Sequence, residues 1–252
     1  MADSAFVPLA SAVPMAASTP RHTAVVRVTH WLTTLAFFAL LITGVEILIS
    51  HPRFYWGEEG NVLMPALFSL PIPSSRGAVQ TGYSFVLKDQ NGWSRYLHFQ
   101  AAWLLVFTAL LYGIHGVLTR HFRNDLVPAR ADRSWRKVSG SIRQHLRFER
   151  PSAAEAWSYN VLQRLSYVAV IFVLFPLMIW TGLAMSPAFT AAFPFVVDVL
   201  GGFQSARTIH FFVTLALVLF VLVHVAMIYL AGFGQRMRAM ITGEAGAQQE
   251  HS

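Results

Sequence analysis

Ten histidines are spread along the 252-residue chain, and five of them (His30, His98, His115, His210 and His224) fall inside or at the edge of long apolar runs. A titratable ring in hydrocarbon is expensive, so each is a functional candidate, with a plain helix–helix hydrogen bond as the alternative. Spacing weighs between the two. His210 and His224 stand 14 residues apart, which on a helix returns to within roughly 40° of the same face and rises about 21 Å. Zinc ligands on one helix sit a single turn apart, and a proton relay wants carboxylates, of which the runs contain only Glu46. One imidazole in each leaflet suits two stacked haems.

The elements that position these rings are four apolar runs, at about 25–50, 96–118, 161–185 and 208–231. A spanning helix needs roughly 20 mostly apolar residues, and a composition of 55% hydrophobic and only 12% charged residues fits spans better than a soluble core. The fold expected is an all-α integral membrane protein, a four-transmembrane-helix bundle. Residues 119–160 hold eight Arg and Lys137 against four acids, whereas 186–206 contain no Lys or Arg and one acid, Asp198. The positive-inside rule then places both termini and the basic segment in the cytoplasm, with 51–95 and 186–206 outside. Matching depths pair His30 with His224 near the inner side and His98 with His210 near the outer side. His115 is rotated roughly 100° from His98 and is expected to be structural or quinone-side, with replacement of His30 as the alternative.

Cysteine is absent, which removes disulfides, iron–sulfur ligation and covalent c-type haem attachment. The excess of 19 Lys and Arg over 12 acids is concentrated in the segment between two spans, a placement that fits a membrane face rather than nucleic acid. Residues 1–20 have a weak signal-peptide look without a basic start and read as a disordered tail, 21–243 as the membrane domain, and 244–252 as a C-terminal tail. Trp135, Val138, Ile142 and Leu146 recur at helical spacing among basic residues, as in an interfacial helix. The long outer loop carries Phe54, Tyr55 and Trp56, which favour a docking surface for another subunit. The stretch 188–200 is too short and Pro-interrupted for a fifth span. Gly44 and Gly182 each follow a Thr near the outer end, and Gly113 and Gly116 lie in the second run. They could admit a macrocycle or serve helix packing. Trp31, Trp103, Trp180 and Phe211 could line haem pockets or belong to an interfacial belt.

The motifs R-V-T-H-W at 27–31, R-Y-L-H-F at 95–99, Y-N-V-L-Q-R at 159–164, and A-R-T-I-H-F at 206–211 followed by H-V-A-M at 224–227 resemble those of bacterial di-haem cytochrome b subunits. Those subunits anchor nickel–iron hydrogenases, formate dehydrogenases and thiosulfate-reductase-type enzymes. The resemblance covers 21–243 and is nearest to the thiosulfate-reductase-like branch, partly through H-P-R-F-Y-W-G-E at 51–58 and T-R-H-F-R-N-D-L-V-P at 119–128. It implies two bis-histidine haems b, a multi-pass location in the bacterial inner membrane, and a quinone pocket near the inner haem. The chain would be the quinone-reactive subunit of an oxidoreductase complex, linking the quinone pool to a periplasmic molybdopterin oxidoreductase or a hydrogenase-like subunit. Asn160 and Gln163 would bond a quinone carbonyl and Arg164 would hold a propionate, unless they only cap and snorkel at a helix start. Two other readings stay open. One is a stand-alone superoxide:quinone oxidoreductase on the same scaffold; the other, from a different class, is a haem-free anchor or transporter.

Overall fold

The computed structural model of the protein describes residues 22–61, 63–72, 91–127, 139–140 and 161–243. The N-terminal tail, Asn160, the interfacial helix expected around 135–146 and the tail after 243 lie outside the described residues. Among the described residues, four helices are long and apolar enough to cross a membrane. Helix α1 is Ala24–Ser50 and α2 is Asn91–Leu118. Helix α3 comprises Val161–Ala169, a π-helical turn Val170–Leu174 and Phe175–Ala184. Short helices α4 (Pro187–Ala192) and α5 (Phe195–Asp198) follow, then α6 (Phe203–Leu230) and α7 (Phe233–Thr242).

Each span is a continuous apolar run, because a backbone in hydrocarbon must satisfy its own amides. Helix α2 starts before its apolar run, at Asn91, since polar residues at the membrane surface can still propagate a helix. The π turn in α3 has a local cause. Pro176 has no N–H, and its ring crowds the carbonyl four residues earlier, so the helix widens just before it.

Helix α1 packs along α2, and α3 along α6. The contacts rest on small side chains, with Ala36, Thr43, Thr181, Ala184 and Ala206 all within 1% of complete burial, as expected where close backbone approach replaces the hydrophobic effect. Buried threonines do not leave polar groups in the membrane. Thr29, Thr43, Thr108 and Thr181 each donate to the carbonyl four residues earlier, at 2.7–2.8 Å. Phe37 of the first hairpin packs on Val170, Val213 and Leu217 of the second. Between 11% and 22% of each span's apolar stretch is buried.

Of the three aromatics in the outer loop, Phe54 and Tyr55 are 1% and 3% exposed, so only Trp56, at 61%, is placed to meet another subunit. Arg53–Phe54 (β1) pairs antiparallel with Phe68–Ser69 (β2), and Phe54 lies between Phe68 and Phe211, 4.6 Å from each. The loop closes the N-terminus of α6, whose free amides need partners. Gln204 and Ser205 donate their N–H groups to Gly57 O, Phe203 N donates to Glu58 Oε2, and Gly57 N donates to Ser205 Oγ. Arg207 donates to the carbonyls of His51 and Arg53, and its guanidinium lies over Phe54.

The stretch 188–200 is no span. It forms α4 and α5, with Val196 and Val197 buried against Ala184 and Ala206, and Trp180 Nε1 donates to Val196 O at 3.0 Å. At the other end, α7 starts after Gly232 (φ +94°) and stops at Gly243 (φ +86°). It folds back on α1, where Arg27 and Trp31 donate to its last carbonyls, Ile241 O and Met240 O. A cation at a helix C-terminus is well placed.

Candidate functional site

His98 lies on α2 and His210 on α6, and their rings face each other with centres 6.4 Å apart and planes at 59°. An imidazole nitrogen sits about 2 Å from a metal it ligates and about 1.1 Å from its own ring centre, so two axial imidazoles place their centres roughly 6.3 Å apart. The outer pair therefore has the separation of two ligands with one metal between them. The other helix of its own hairpin fixes each ring. Thr43 Oγ1 of α1 is 2.9 Å from His98 Nδ1, and Thr181 Oγ1 of α3 is 2.9 Å from His210 Nδ1. The glycines that follow lie beside the rings, where a Cβ at Gly44 would make an ordinary contact with His98 Cε1 (3.6 Å) and one at Gly182 with His210 Cε1 (3.8 Å). Both threonine hydroxyls also reach helix carbonyls. The threonines of the two Thr-Gly dipeptides thus seat the histidines, a role the sequence hinted at only by repeating T-G at the outer ends of two spans.

The inner pair is assembled differently. His30 of α1 and His224 of α6 lie within electrostatic range of one another. His30 Nδ1 is buried and makes no hydrogen bond. His224 stacks on Phe220, at 5.5 Å and 19°, and meets Tyr167 of α3 edge-on at 6.0 Å. A cleft opens beside it, with Gln163, Ser166, Tyr167, Met227 and Arg236 among its walls. Gln163 is therefore brought to His224, whereas Arg164, one position on, is not part of that lining.

His115 stays apart from both pairs. Its Nε2 is 3.4 Å from Thr23 Oγ1, the side chain that caps the first turn of α1. Among the aromatics, Trp31 and Trp180 donate to carbonyls near helix ends, and Trp31 also meets the His30 ring edge-on at 5.3 Å; Trp103 stacks on Phe107 with 44% of its surface exposed, and Phe211 belongs to the loop cluster. Gly116 admits Phe122, whose ring would lie 2.3–2.6 Å from a Cβ there. Outside the spans, His51 is pushed below the usual histidine range, first by burial and then by the Arg207 guanidinium, although its ring bonds the Ile47 carbonyl.

Four apolar helices that present buried imidazoles in two groups define an integral membrane cytochrome b, an electron-transfer protein. The chain belongs to the prokaryotic cytochrome b561 family, whose model matches residues 21–243. It is 29% identical over 227 residues to a protein from Azospira oryzae named as a protein-methionine-sulfoxide reductase subunit, YedZ1, covering 88% of this chain and 96% of that one. No solved structure matches. The protein binds haem b and is a multi-pass protein of the bacterial inner membrane.

Proposed function

We propose that the protein is a di-haem b subunit that moves electrons between the quinone pool and a periplasmic oxidoreductase, a molybdopterin enzyme being the partner class that fits best. The observation that carries this reading is the 6.4 Å separation of the His98 and His210 rings, each held from the Nδ1 side by a threonine. His98 and His210 would hold the outer haem, and His30 and His224 the inner one. When bound, haem b would supply a one-electron iron couple, and with a pair of histidines holding each haem the protein would carry electrons rather than bind oxygen.

Gln163 and Arg236 offer donors to a quinone carbonyl in the cleft beside His224. Asn160, three positions before Gln163 in sequence, belongs to the same expected set, and Arg164 is proposed to hold a propionate. The partner class rests on the resemblance of the motifs and on the subunit name of the Azospira oryzae relative. The stand-alone superoxide reading keeps one support, the basic residues of the outer face. The haem-free anchor or transporter has against it a family that binds haem b.

The test is quinol-driven reduction of the purified protein together with affinity capture from its native membrane. Rapid reduction of both haems by a quinol, and capture of a molybdenum-containing periplasmic protein, are the expected results. Reduction by superoxide with no captured partner would overturn the partner assignment.

A further inference from the structure

The two threonines that face the outer histidines do more than fill space. Thr43 Oγ1 lies 2.7 Å from Ala39 O and Thr181 Oγ1 lies 2.8 Å from Leu177 O. A carbonyl only accepts, and a hydroxyl has one proton, so that proton is committed to the helix. What remains to face each imidazole at 2.9 Å is an oxygen lone pair. An acceptor at hydrogen-bond distance from Nδ1 requires an N–H there. The proton therefore sits on Nδ1, and Nε2 carries the free lone pair.

We infer that Thr43 and Thr181 are positioning residues that lock both outer histidines into the Nδ1–H tautomer and make them more basic ligands, thereby favouring the ferric state of the outer haem. This rests on the bis-histidine reading above. An N–H held by an acceptor pushes electron density toward the ligating nitrogen, and outer partners of this kind commonly change metal affinity or activity by about 10–100-fold when removed. No proton moves during the one-electron cycle, because Nδ1–H stays bonded in both oxidation states. The device is specific to one haem: the threonines sit on α1 and α3, symmetrically across the outer pair, while His30 Nδ1 in the inner pair is buried with no partner.

The experiment compares the haem-loaded wild type with Thr43→Val, Thr181→Val and the corresponding Ser variants, by haem content and by redox titration of both couples. Valine keeps the shape and removes the acceptor; serine restores it. Each Val variant is expected to weaken the ferric preference of the outer haem about tenfold, an upward shift of about 59 mV for a one-electron couple. The inner couple should stay in place and Ser should return the outer one. Loss of one haem in Val but not in Ser also supports the clamp. A shift below about twofold, equal movement of both couples, or the same behaviour in Ser as in Val overturns it. A wild type with fewer than two haems overturns the bis-histidine reading itself and the clamp with it, whereas two haems with unmoved potentials overturn the clamp alone.

Discussion

Gly202→Ala should detach the outer loop from α6, and the structure sets the size of the effect. A Cβ at this position would lie 2.5 Å from Glu58 N, Gly57 C and Gly57 O. All three are backbone atoms, so no rotamer change relieves the clash and the loop has to lift. Lifting it breaks Gln204 N to Gly57 O (2.9 Å), Phe203 N to Glu58 Oε2 (3.0 Å) and Gly57 N to Ser205 Oγ (2.8 Å), at a net cost of about 1 kcal/mol each. The φ of +109° adds about 1–3 kcal/mol for a residue with a side chain. A total of about 4–6 kcal/mol corresponds to a fall in thermal midpoint of roughly 8–24 °C, at about 2–4 °C per kcal/mol for a chain of this size. The assay is thermal unfolding in detergent, with Gly201→Ala as the control. Gly201 also has positive φ (+79°), but a Cβ there would meet nothing closer than Ser205 Oγ at 3.7 Å, so only the backbone cost of about 1–2 kcal/mol applies. If Gly202→Ala unfolds no earlier than Gly201→Ala, the loop does not cap α6 as described.

Thr208→Val removes the donor to Tyr55 O (2.7 Å) at a buried site and should cost about 1–3 kcal/mol, read as a lower midpoint with the inner haem spectrum unchanged. Gln163→Ala should slow quinol-driven reduction severalfold without changing haem content; loss of haem instead would place Gln163 in the haem seat. His51 provides a pH signature. Burial and Arg207 hold its pKa below 6.5 in the folded protein, so the unfolded chain binds the proton more readily. Stability is then unaffected above about pH 6.5 and falls as the pH drops below it. The midpoint difference between pH 7.5 and 5.5 should shrink in His51→Gln, and an undiminished difference would assign the titration to another group.

The faces of His210 and His224 were legible because a helix in hydrocarbon has to satisfy its own backbone and therefore keeps its 100° step. Depth along each span then paired the rings without any knowledge of packing. The loop at 51–60 was not legible, since Gly57 finds its partners about 150 positions away, and an aromatic cluster reads the same whether it caps a helix or docks a protein. Burial of Phe54 and Tyr55 belongs to the first case. Helix α7 did leave a signal, the glycines at 232 and 243 that take left-handed conformations at its two ends, but its ten residues are amphipathic rather than apolar and lie outside the hydropathy pattern. The T-G repeat was visible as a sequence, whereas its bonds to His98 and His210 depend on how the two helices within each hairpin face one another.

The most direct measurement is haem b per polypeptide, by pyridine haemochrome, for the wild type and for His98→Ala, His210→Ala, His30→Ala, His224→Ala and His115→Ala. Two haems are expected in the wild type, with loss of one in each of the first four variants and no loss in the last. A single haem in the wild type, or loss on changing His115 with retention on changing His30, would contradict the bis-histidine pairing.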